Sequence, residues 1–100
     1  MAAKPQAPIR RIAMDVDKVV DRPAMVPLAR AIAAVPGVQA VNVTVTEIDI
    51  ETVGTDVTVE GDDIDTEALF EAIEKIGAVL HSIDEVVAGE RVIERVPRLR

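Results

Sequence analysis

One hundred residues with 49% apolar side chains suffice for a single folded domain and argue against a disordered body. The absence of cysteine excludes disulfides, zinc–thiolate centres and thiol catalysis, and it suits a reducing cytoplasm. A net charge of −7 disfavours nucleic acid and anionic membranes as partners.

Residues 1–7 are small, polar and proline-containing, which reads as a tail. The opening MAAKPQAP lacks the basic-then-apolar layout of a signal peptide. No apolar run approaches the roughly 20 residues that span a bilayer. Ile12, Met14 and Val16 then alternate with polar or small neighbours, the period of a half-buried strand. Met25, Leu28, Ala29, Ile32 and Val35 recur at helical spacing. Asp21 is a candidate N-cap, Pro23 and Pro27 suit a first turn, and Pro36-Gly37 stops the helix.

From Val38 the period returns to two, with Val41, Val43 and Val45 against Asn42, Thr44 and Thr46. The apolar phase slips at Ile48 and Ile50, which predicts a bulge or change of face near Thr46-Glu47. Val53, Val57 and Val59 make the next strand, with a turn at or near Gly54. Asp65 is placed to cap a second helix, with Ile64 and Leu69 as a hydrophobic staple. Leu69, Ile73 and Ile76 form its buried stripe, and Gly77 suits the position just past its end. Val79, His81 and Ile83 alternate in a fourth strand, and after Gly89 the tail ERVIERVPRLR reads as an extra strand or an arm.

Strand, helix, strand, strand, helix, strand predicts an α+β domain of the ferredoxin-like βαββαβ type over residues 8–89, with an arm at 90–100. A faint repeat supports it: Leu28, Ala31, Ile32 and Gly37 match Leu69, Ala72, Ile73 and Gly77 with one residue inserted. Both helices are expected on one face of a four-stranded antiparallel sheet, over an aliphatic core, because Phe70 is the only aromatic residue.

The chain also resembles the archaeal domain-of-unknown-function family 211. The resemblance runs from about Ile9 to Val96. It is carried by HSIDEVVAGE (His81–Glu90), VNVTVTEIDIET (Val41–Thr52) and GDDID (Gly61–Asp65). It implies a ferredoxin-like fold and a homo-oligomeric assembly, with a ring as one form, and it implies no assigned reaction.

Charge is unevenly placed. Residues 31–74 hold eleven acids and no Lys or Arg. Glu47, Asp49 and Glu51 stand two apart, so in a regular strand they share one face about 7 Å apart in steps. A divalent cation would relieve their repulsion, and oxygen-only ligands favour calcium or magnesium. The plainer reading is a solvated strand edge whose charges block unwanted pairing. Asp62, Asp63 and Asp65 crowd a helix start. They form a second candidate cation site, though N-capping and dipole complementarity explain most of that density. Glu67, Glu71 and Glu74 read as the wet face of an amphipathic helix, able to meet Arg91, Arg95, Arg98 or Arg100 across a subunit boundary.

His81 is the only histidine. Its phase with Val79 and Ile83 predicts a core-facing structural side chain. The functional alternative groups it with Asp84 and Glu85 as a proton acceptor or metal ligand. Gly89 reads as a bend, or as a hinge delivering Val92, Ile93 and Val96 to a neighbour's sheet edge. No nucleophile elbow, phosphate loop or dinucleotide fingerprint occurs. An RNA-binding sheet would need aromatic residues and a basic face. An amino-acid-sensing domain would want glycine between Asp17 and Arg22.

Two functions follow from these readings. The first is a homo-oligomeric binding or regulatory module that joins through edges, tails and opposite charges, with calcium or magnesium at its carboxylates and its small-molecule ligand unspecified. The second is a small enzyme whose site forms between subunits from His81, Asp84 and Glu85.

Overall fold

A computed structural model describes residues 6–98. The elements are β1 (Ile9–Val19), α1 (Met25–Ala33), β2 (Val38–Ile48), β3 (Thr52–Gly61), α2 (Thr66–Lys75) and β4 (Val79–Ala88). The strands form one four-stranded sheet in the order β2-β3-β1-β4. Every neighbouring pair is antiparallel. This is the ferredoxin-like arrangement, with β1 and β3 inside and β2 and β4 as edges.

The alternation in β1 and β3 sends Ile12, Met14, Val16, Val57 and Val59 to one face, where they are buried with Leu28 and Ile32 of α1 and Leu69 and Ile73 of α2. Both helices therefore cover the same sheet face. Each fully buried aliphatic side chain contributes about 1.5–3 kcal/mol, so this cluster is the main source of stability. The opposite face carries Arg11, Ala13, Asp15 and Asp17 of β1 and their partners Glu60, Thr58, Asp56 and Gly54 of β3. It is polar and uncovered over most of its area.

The internal repeat is structural. Leu28 and Ile32 occupy in α1 the buried places that Leu69 and Ile73 occupy in α2. The matched glycines Gly37 and Gly77 both take left-handed backbone angles, with φ of +86° and +92°. Asp65 caps α2 by accepting from the Ala68 amide at 3.1 Å, and Ile64 and Leu69 are buried together as a staple requires. The predicted slip in β2 is a register shift between Val45 and Glu47.

Three local expectations are corrected. α1 starts at Met25 with Ala24 as its N-cap and no side-chain cap bond, so Asp21 does not cap it. The β2–β3 turn lies at residues 49–51, where the Asp49 amide donates to the Thr52 carbonyl at 2.8 Å. Gly54 sits inside β3, opposite Asp17. In β4 the core phase at the start belongs to Leu80, while Val79 and Ile83 are exposed. After Gly89, residues 90–98 carry no strand or helix and run as an arm. Of the tail read at residues 1–7, only Gln6 and Ala7 are described, and both are exposed. Arg100 lies outside the described residues.

Candidate functional site

The uncovered sheet face is divided by charge. At the end where β1 begins, Arg11 gathers the acids. Its guanidinium bonds Glu60 at 2.8 Å and Glu94 through two nitrogens at 2.9 Å each, with Glu85 at 3.6 Å. Its neighbour Arg10 holds Asp62 by an ion pair and donates to the Gly89 and Glu90 carbonyls. These two arginines tie the β3–α2 loop and the C-terminal arm to β1. The hydrogen bonds to Arg11 hold the Glu94 carboxyl below its usual range, against the opposing effect of desolvation.

At the other end the face is acidic. Asp15 and Asp56 are direct cross-strand partners, a like-charge pairing that is unfavourable without a counter-charge. Next to them lies a polar hollow of about 250 Å³ lined by Asp15, Asp17, Thr46, Glu47, Asp49, Thr52, Gly54 and His81. Four carboxylates and the chain's one imidazole converge there from β1, the end of β2, the hairpin turn and β4. Asp17 Oδ2 stands 3.6 Å from His81 Nδ1.

The predicted trios are redistributed. Glu47 and Asp49 enter this hollow, but Glu51 does not line it, because the bulge at Thr46 and the turn at 49–51 break the strand geometry that would have aligned the three. Asp49 also accepts from the Ile50 amide at 2.8 Å. Asp62, Asp63 and Asp65 are each occupied locally: by Arg10, by the Ile9 amide and by the α2 cap respectively. Among the described residues, no three acidic or histidine side chains form a ready metal-ligand set.

His81 is exposed rather than facing the core. Register shifts between β1 and β4 at Ala13/Met14 and Asp15/Val16 leave it as an extra residue between Leu80 and Ser82 and turn it toward Asp17. Asp84 accepts from the Ser82 hydroxyl at 2.8 Å, and Glu85 faces Arg11. Within one subunit, then, His81, Asp84 and Glu85 point to three different partners. Sequence reading missed Asp15, Asp17 and Arg11. The alternation of β1 was the available signal, since it sets these residues on one face opposite Ile12, Met14 and Val16.

The fold and this polar face define a small ferredoxin-like α+β domain with an acidic hollow at one end of its open sheet face. A family model of uncharacterised archaeal proteins, the domain-of-unknown-function family 211, described as uncharacterized ArCR, matches residues 10–100. The chain belongs to that family. It is 43% identical to an uncharacterised protein of Methanocaldococcus jannaschii over 88 residues, covering 88% of this chain and 90% of the relative. No described helix is long and apolar enough to cross a membrane.

Proposed function

We propose that the chain is a homo-oligomeric binding or regulatory module, cytoplasmic in location, that takes calcium or magnesium at carboxylates on its open sheet face. The observation that carries the assembly is exposed apolar surface at both edges of the sheet. Along β4, Val79, Ile83 and Val86 are 63%, 47% and 54% exposed, and at the β2–β3 turn Ile48 and Ile50 are 74% and 91% exposed. Apolar side chains grouped on unpaired edges mark a contact surface.

Support for the cation comes from the acidic hollow at Asp15, Asp17, Glu47 and Asp49, an oxygen-rich environment that suits hard divalent ions. A neighbouring copy, or water, would complete the coordination that one subunit leaves short. The acidic stripe of α2 and the arm arginines Arg91, Arg95 and Arg98 supply further opposite charges for contacts between copies.

Size-exclusion chromatography with light scattering tests the assembly, and calorimetric titration with calcium or magnesium tests the cation. The proposal expects a mass well above one chain at micromolar concentration, and cation binding that is lost in an Asp15→Asn, Asp49→Asn variant. A monomer both with and without calcium overturns it.

A further inference from the structure

The C-terminal arm encloses more space than it fills. Val87 pairs with Arg11 across β1 and β4, which places it on the open sheet face, yet it is only 4% exposed. The arm crossing above covers it. The arm's own apolar side chains, Ile93 and Val96, stay 71% and 64% exposed. These three residues line a cleft of about 870 Å³. Small-molecule sites span roughly 300–1,000 Å³ and are largely apolar, with a few convergent polar groups.

Three acids and two arginines also line the cleft, and they differ in how far each is committed. Glu94 meets Arg11 through two bonds of 2.9 Å, and Glu85 stands 3.6 Å from the same guanidinium. Asp84 accepts from the Ser82 hydroxyl at 2.8 Å. Arg95 and Arg98 make no ion pair or hydrogen bond among the described residues.

Two uncommitted guanidiniums beside an apolar floor suit an anion that carries an apolar body. The planar fork of donors on each arginine matches a carboxylate or a phosphate. The neighbouring acids choose between the two. A phosphate ester carries about two negative charges at neutral pH. Asp84, Glu85 and Glu94 repel it more strongly than they repel a singly charged carboxylate.

We infer that the cleft is a binding site for a small aliphatic carboxylate, whose chain lies along Val87, Ile93 and Val96 and whose head group is held by Arg95 and Arg98. The arm is its roof. Arg10 pins the start of the arm by donating to the Gly89 and Glu90 carbonyls at 2.7 and 3.1 Å, and Arg11 pins it again at Glu94. Beyond Glu94, residues 95–98 make no backbone hydrogen bond to the domain among the described residues, so this end can close its arginines on the ligand. The site depends neither on a bound cation nor on the joining of copies. Arg91 does not line it and remains for contacts between copies.

Titration of the full chain with octanoate, followed by NMR, tests the site. Octanol and octylamine vary the head-group charge, and octyl phosphate supplies the dianion. Octanoate should shift the signals of Val87, Ile93 and Val96 saturably, with a Kd below about 1 mM. The other three compounds should each bind at least about tenfold more weakly. Arg95→Gln combined with Arg98→Gln should weaken octanoate binding about tenfold or more. Arg22→Gln combined with Arg30→Gln removes the same charge from exposed positions outside the cleft and should keep the parent affinity. Unchanged β1 and β3 spectra confirm that each variant is folded. Absent shifts, equal losses in the two double variants, or any of the three other compounds binding as tightly as octanoate overturns the inference. So do Val87, Ile93 and Val96 signals that move on dilution of the protein alone, because a neighbouring copy then fills the cleft.

Discussion

Arg11 and Glu94 lie 83 positions apart, yet two guanidinium nitrogens of the first meet both carboxylate oxygens of the second at 2.9 Å. The pair draws the C-terminal arm back across the sheet beside Glu60 and Glu85. Between the arm and the last residues of β4 it leaves a cleft of about 870 Å³ that includes the buried Val87.

Removing that carboxylate should release the arm without unfolding the domain. In Glu94→Ala, backbone order parameters for residues 92–98 should fall below about 0.6, while those of β1 and β3 stay near 0.85. Global stability should stay close to that of the parent, because the pair is exposed on the glutamate side. An arm as rigid in the variant as in the parent would show that something other than Arg11 holds it.

The same contact sets a pH dependence. The folded-state pKa of Glu94 is depressed by Arg11. An acid shifted in this direction contributes its stabilisation above its unfolded pKa and loses it as pH falls through the folded value. The arm should stay docked through the ordinary glutamate titration range and detach only below it. Following the Glu94 side-chain carboxyl by NMR alongside arm order parameters checks this. Titration of Glu94 at or above the ordinary range would contradict the geometry.

Glycine substitutions should separate backbone strain from collision. A Cβ on Gly37 would lie 1.9 Å from the Asp63 carbonyl oxygen, and one on Gly61 would lie 1.9 Å from the Gly37 carbonyl oxygen, where the chain crosses from β3 toward α2. Gly77 has the same left-handed backbone as Gly37 but nothing within 4 Å. Gly77→Ala should therefore lose about 1–2 kcal/mol from strain alone. Gly37→Ala and Gly61→Ala should each lose more than about 2 kcal/mol, because backbone must move. Chemical denaturation of the three variants gives the order, and equal losses would refute it.

How much was legible follows from how local each signal is. The aliphatic stripes of α1 and α2, the Asp65 cap, the Ile64–Leu69 staple and the alternation of β1 and β3 are patterns within a few residues of each other, and each persists in the fold. The slip near Thr46 was readable for the same reason, since the apolar phase visibly changes there. The Glu47/Asp49/Glu51 trio misled because even spacing implies one face only while the strand continues, and the chain turns at 49–51.

The sequence by itself determined the order of elements, the faces of β1, β3 and both helices, and the aliphatic core, because period and capping are set by neighbouring residues. Only the tertiary structure decided the β4 register, which turns His81 outward to Asp17, and the convergence of Asp15, Asp17, Glu47 and Asp49 from separate elements. The physical reason is that strand pairing and its irregularities depend on partners far away in the chain. A shift of one residue in such pairing exchanges core for solvent without any trace in the local pattern.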